Sequence, residues 1–130
     1  MVSTFQIKTA AAAVITLTLG YWIRFTPLAP EWLRDTSGGA AYVILCTLLA
    51  AVVKPNLSPA RLATGAFLFT CAVECLQAWH PAWLDAIRRT LPGRLLLGTT
   101  FAWHDFPPYV AGAVLGYCLL LPLMLESRQR

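Results

Sequence analysis

Seven side chains carry most of the chemistry open to this sequence: Arg24, Glu74, Gln77, Asp85, Arg88, Asp105 and Tyr109. Glu74 comes near the end of an apolar stretch, Leu62–Trp79, long enough to cross a bilayer, and Gln77 follows three residues later. Insertion scales penalise a carboxylate at such depth by roughly 2.5–3.5 kcal/mol, so a retained one usually faces protein or a watered cavity. Two carboxyls with an arginine suit binding of a polar ligand. They also suit acid–base catalysis, with Glu74 or Asp105 moving a proton while Arg88 holds an anion. Each residue has a plainer role as well. Glu74 could pair with Arg24 or Arg88 and lock the helices together. Gln77 could bond across helices, Asp105 could cap a helix, and Gly112-x-x-x-Gly116 could be a close-packing face.

The elements that must position these residues follow from composition. The chain has 130 residues, 58% hydrophobic and only 12% charged, with mean hydropathy +0.62. A soluble domain would carry about 25% charged residues. The length suits one all-α transmembrane domain over residues 1–130, a membrane four-helix bundle. Its expected spans are 9–23, 38–53, 62–79 and 109–125, with a capping loop at 80–108. The first two are shorter than the roughly 20 residues a span needs. Lys8 and Arg24 can snorkel from the ends of the first. Lys54-Pro55 closes the second, and Ser58-Pro59 gives the third an N-cap and first-turn proline. Lys8 before an apolar run looks like a leader, but Gly20–Arg24 is a poor cleavage context. An uncleaved first span is expected.

Orientation is set by fine balance. One side would hold Lys8, Lys54, Arg61, Arg128 and Arg130, and the other Arg24, Arg34, Arg88, Arg89 and Arg94. The positive-inside count is level. Both lysines and the amino terminus share the first side, which places both termini in the cytoplasm of a bacterial inner membrane. Trp22, Trp32, Trp79, Trp83 and Trp103 would then all lie at the opposite face, as an aromatic belt or a specialised surface.

That face also gathers the polar residues. Counting from Pro59, Glu74 rises about 22 Å along its helix, one to two turns below the tryptophans. Thr70 and Gln77 share its stripe. Arg24 ends the first span there, Asp105 and Tyr109 open the fourth, and Asp85 and Arg88 lie in the loop between. From His80 to Pro108 that loop is too long for a plain connection. Its stretch Trp83–Thr90 has helical amphipathic spacing and suits a short interfacial helix. Leu95–Gly98 can dip back towards the helices as a re-entrant piece, provided protein shields its backbone.

The motifs Glu74-x-x-Gln77, Trp83-Leu-Asp85-x-x-Arg88, Gly98-x-x-Phe101-x-Trp103-x-Asp105 and Tyr109-x-x-Gly112-x-x-x-Gly116 resemble an uncharacterised family of small four-span bacterial membrane proteins. That family is similar in turn to the VanZ-like proteins, associated with glycopeptide-antibiotic resistance. Their pattern places Glu and Gln in the third span, Arg in the loop, and Asp before a glycine-bearing fourth span. Arg24 and Asp35 match more weakly, and Tyr109 stands where Asn is usual. The resemblance implies the fold, the membrane and the polar cluster.

Other chemistry finds little footing. Cys46, Cys71, Cys75 and Cys118 all lie in expected spans, against a disulfide framework. His80 and His104 lack metal-ligand spacing, so neither a metal nor a cofactor is expected. The +4 charge fits anionic membrane lipid better than nucleic acid. The expected function is a non-enzymatic binding or accessory role, with a small polar ligand, lipid or membrane-protein partner. The alternatives are a membrane enzyme acting on a lipid-linked substrate, or a proton-coupled transporter working as an oligomer.

Overall fold

A computed structural model describes residues 1–129, so Arg130, one of the charges weighed for orientation, lies outside the described residues. Six α-helices follow in order: α1 (Thr4–Phe25), α2 (Glu31–Val53), α3 (Pro59–Leu76), α4 (Ala82–Arg88), α5 (Leu91–Leu97) and α6 (Phe106–Arg128). A 3-10 turn at Trp103–Asp105 leads into α6. No strand occurs among the described residues.

Local chemistry sets most helix ends. Ser3 caps α1 in a reciprocal box with Gln6, which satisfies two otherwise unbonded amides. Ser58 and Pro59 start α3 as the sequence suggests. α2 differs from the sequence reading, beginning at Glu31 rather than Gly38. Hydropathy excludes the polar run Glu31–Ser37 from a span, yet helicity needs only good caps. Pro30 precedes it, and Glu31 suits the positive end of the helix dipole. α3 ends at Leu76, short of Trp79, where the backbone tightens to three-residue bonds, the Ala78 amide to the Cys75 carbonyl and the Trp79 amide to the Leu76 carbonyl.

The long helices pack antiparallel in sequence order. Gln6 Nε2 donates to the Val52 carbonyl at 2.9 Å, and Arg24 pairs with Asp35, so α1 lies along most of α2. Lys8 Nζ meets Glu126 at 2.6 Å, which puts the start of α1 beside the end of α6. One core cluster, built on Phe5, Leu48, Leu62 and Leu120, fills that end. A second, with Val43, Ala66 and Tyr109, lies towards the other. The outer surface is apolar too: Val14, Leu17, Leu19, Phe69 and Val114 are all more than half exposed. Among the described residues, three stretches are long and apolar enough to cross a membrane: Glu31–Val53, Pro59–Leu76 and Trp103–Arg128. In α1, Gln6, Lys8, Arg24 and the threonines dilute the apolar character.

α6 approaches α2 closely at two glycines. A β-carbon on Gly112 would come within 2.5 Å of the Ala40 carbonyl oxygen, and one on Gly116 within 3.1 Å of Thr47. Gly65 on α3 faces open space instead. Gly112→Ala should therefore destabilise the protein by about 1–3 kcal/mol through overpacking. Gly65→Ala should be neutral or stabilising, since alanine is favoured over glycine in a helix by about 1 kcal/mol. Thermal unfolding in detergent checks the pair, and equal melting temperatures for the two variants would contradict this packing.

Candidate functional site

Glu74 is wholly buried, and both of its oxygens are answered. Oε2 accepts from the Tyr109 hydroxyl at 2.7 Å and Oε1 from the Ala102 backbone amide at 2.7 Å. The bonds tie three segments together: α3, the strap 98–105, and the first turn of α6. Neither partner is an arginine. That corrects the expected ion pair with Arg88 or Arg24.

Arg88 has other work. Its Nη2 donates to the Leu76 carbonyl at 2.8 Å, and its Nη1 to the Trp79 carbonyl at 2.8 Å and to Asp85 Oδ1 at 3.1 Å. The guanidinium therefore satisfies carbonyls at the carboxyl end of α3, where the helix dipole favours a cation. It is buried beneath α4, and its Nε has no partner. His80 Nδ1 joins Asp85 at 3.1 Å. The hydrogen bond from His80, reinforced by Arg88, holds the Asp85 carboxyl below the usual carboxylate range. Arg24 is engaged by Asp35 across the α1–α2 turn and half exposed. Six of the seven residues thus fall into three groups, Glu74 with Tyr109 and Asp105, Asp85 with Arg88, and Arg24 by itself with Asp35, while Gln77 packs on Gly98 instead.

Asp105 stands at the N-cap position of α6 but does not cap it, a second correction. Capping oxygens accept from the second or third amide of a helix. Here those positions are Pro107 and Pro108, which have no N–H. Its carboxyl instead lies close enough to Glu74 for the two to interact. The exposed His104 approaches it at 3.6 Å.

Gln77 is 7% exposed, and its side-chain amide makes no hydrogen bond. It packs on Gly98, whose φ of 66° opens the strap. Any side chain at 98 would collide with that amide and strain the backbone as well. Thr70, one turn below Glu74, spends its hydroxyl on the Ala66 carbonyl at 2.8 Å. An open apolar groove of about 310 Å³ between α3 and α6, lined by Ala63, Phe67, Ala113 and Tyr117, does not include Glu74. No three acidic, cysteine or histidine side chains among the described residues are grouped to share a metal. Sequence reasoning missed the Ala102 amide and the α3 carbonyls, because backbone groups leave no signal in residue type.

A family match covers residues 28–113 and is described as a protein of unknown function (DUF2809). The chain belongs to that family. The matched stretch runs from the α1–α2 turn into α6 and takes in Glu74, Gln77, Asp85, Arg88, Asp105, Tyr109 and Gly112. Arg24 and Gly116 fall outside it. No solved structure matches the chain.

The geometry ranks substitutions. In Glu74→Gln the amide oxygen can still accept from Ala102 while its nitrogen donates to the Tyr109 oxygen, so most stability should remain. Glu74→Leu strands both donors at about 1–3 kcal/mol each. Arg88→Ala strands the Trp79 carbonyl, removes a second donor from the Leu76 carbonyl and leaves Asp85 with His80 alone, and should cost a similar amount. Melting temperatures in detergent should fall in the order wild type, Glu74→Gln, then the other two. A Glu74→Gln protein as unstable as Glu74→Leu would contradict the neutral-donor geometry.

The Asp85 clamp also carries a pH dependence. A carboxyl with a depressed folded pKa contributes stability above its unfolded value, near 3.9, and loses it as pH falls through the folded value. Acid unfolding of Asp85→Asn should therefore be flatter than wild type below about pH 4. Superimposable acid titrations would contradict the clamp.

Proposed function

We propose that this protein is a multi-pass protein of the bacterial inner membrane that binds a small cationic or hydrogen-bond-donating ligand at the Glu74–Asp105 end of the α3–α6 seam. The carrying observation is that Glu74 is met by two neutral donors and no basic side chain, with the acidic Asp105 one turn before its partner Tyr109. Arg88 and Arg24, which would have favoured an anion, are engaged elsewhere. Gln77, 7% exposed, adds a polar side chain at the same end of α3. Entry requires the strap 98–105 to lift, breaking the bond from the Ala102 amide. A binding or accessory role fits this arrangement better than turnover, since the hydroxyl beside Glu74, on buried Tyr109, is engaged in donating to that carboxyl.

The reading includes four crossings. α1 has 22 residues, lies antiparallel along α2, and turns Val14, Leu17 and Leu19 outward. A helix so placed beside a spanning α2 shares its apolar surroundings. Four crossings bring both termini to one side, taken as cytoplasmic, and place α4 and α5 at the opposite face. The order of Glu74 and Gln77 on α3, Arg88 on α4, and Asp105 ahead of the glycines on α6 supports kinship with VanZ-like proteins.

Two experiments test the reading. Single cysteines at Val2 and Gln129, in a background freed of native cysteines, should label from the same side of the membrane and Ala86→Cys from the other. Opposite-side labelling of 2 and 129 would remove the four-span reading. For the site, thermal unfolding against a panel of amines, guanidinium compounds, polyols and organic anions should show stabilisation by a cationic or polyol member. Asp105→Asn should abolish that shift while melting close to wild type, because Asp105 caps nothing. Stabilisation by anions alone would overturn the proposal.

A further inference from the structure

α4 and α5 form a small elbow whose outward side has no protein cover. On α4, Leu84 and Arg88 face inward, while Trp83 and Ile87, one turn apart, are 59% and 45% exposed. On α5, Leu91 and Leu95 repeat the pattern at 54% and 45%. The elbow is held firmly. Thr90 caps α5, a side chain at Gly93 would run into the Ile87 carbonyl, and the Tyr42 hydroxyl donates to the Leu96 carbonyl at 2.9 Å. Arg89 ends α4 and Arg94 lies on α5, both exposed and neither in an ion pair among the described residues. The nearby acids are committed, Asp85 to Arg88 and His80, and Asp35 to Arg24.

We propose that this elbow is a docking surface for anionic phospholipid, with Trp83, Ile87, Leu91 and Leu95 entering the acyl boundary while Arg89 and Arg94 bind headgroup phosphate. Charge complementarity selects that occupant. Two exposed guanidinium groups without an ion pair stand on the same elbow as apolar pairs of single-turn spacing, and guanidinium matches phosphate with two parallel hydrogen bonds. The edge-on pair Trp79–Trp83, with centroids 5.8 Å apart, marks the headgroup level as interfacial tryptophans do. The surface is independent of the carboxyl site, so either can fail without the other.

Native mass spectrometry of the full-length protein with equimolar phosphatidylglycerol and phosphatidylcholine tests it. Wild type should retain phosphatidylglycerol preferentially, and each arginine should contribute about fivefold. Arg89→Gln/Arg94→Gln should lose that preference, and Arg89→Lys/Arg94→Lys should keep part of it. A second measurement needs no charge variant: quenching of tryptophan fluorescence by brominated phosphatidylglycerol should exceed that by the brominated choline lipid, and Trp83→Phe should reduce the excess. Equal retention of the two lipids by wild type, or an unchanged preference in the glutamine double variant, would overturn the proposal.

Discussion

A carboxyl with no exposed surface must have its oxygens bonded by protein, and Glu74 is such a group. Removing it from water without partners would cost several kcal/mol, so the structure around it must supply donors. Those it supplies are neutral and come from two other segments. Tyr109 reaches across from α6, and Ala102 presents its amide from the strap. One side chain thereby fixes how far α6 slides along α3 and where the strap lies. Close approach of α6 to α2 depends on the same alignment, because Gly112 and Gly116 meet Ala40 and Thr47 only in that register.

The arginine that sequence pairs with Glu74 performs a separate task. Arg88 ties its own helix, α4, to the end of α3 by donating to the Leu76 and Trp79 carbonyls, and Asp85 on the same helix holds its guanidinium. The division has a physical logic. A full ion pair at Glu74 would neutralise the acidic end of the seam and make it a lock. Placing the cation on backbone carbonyls stabilises the helix end and leaves Glu74 to neutral donors. The two corrections converge on this point. Asp105, freed from capping by Pro107 and Pro108, keeps its carboxyl at the same end of the seam, one turn before Tyr109.

How legible this was depends on what kind of group was involved. Ser58-Pro59 and Lys54-Pro55 mark helix ends by local chemistry, and Glu74 stands out because hydropathy prices its depth. The start of α2 was obscured because polar helical residues look like loop to a hydropathy reading. Partner choice was less accessible. In the sequence every arginine is equally available, whereas three dimensions require the guanidinium and the carboxyl to share a layer. The Ala102 amide had no signal at all, since any non-proline residue offers the same donor. The failure of Asp105 to cap was readable in principle from the two prolines that follow Phe106.

The most direct measurement of the Glu74 tie is hydrogen exchange at the Ala102 amide, resolved by NMR in detergent micelles. Ala102 lies in a segment without regular secondary structure, beside the exposed Thr99 and Thr100. Its amide should nevertheless exchange far more slowly than theirs, and Glu74→Leu should abolish the difference while the amides of α2 stay protected. Exchange at Ala102 as fast as at Thr99 and Thr100 in the wild-type protein would contradict the tie on which the strap and the site both rest.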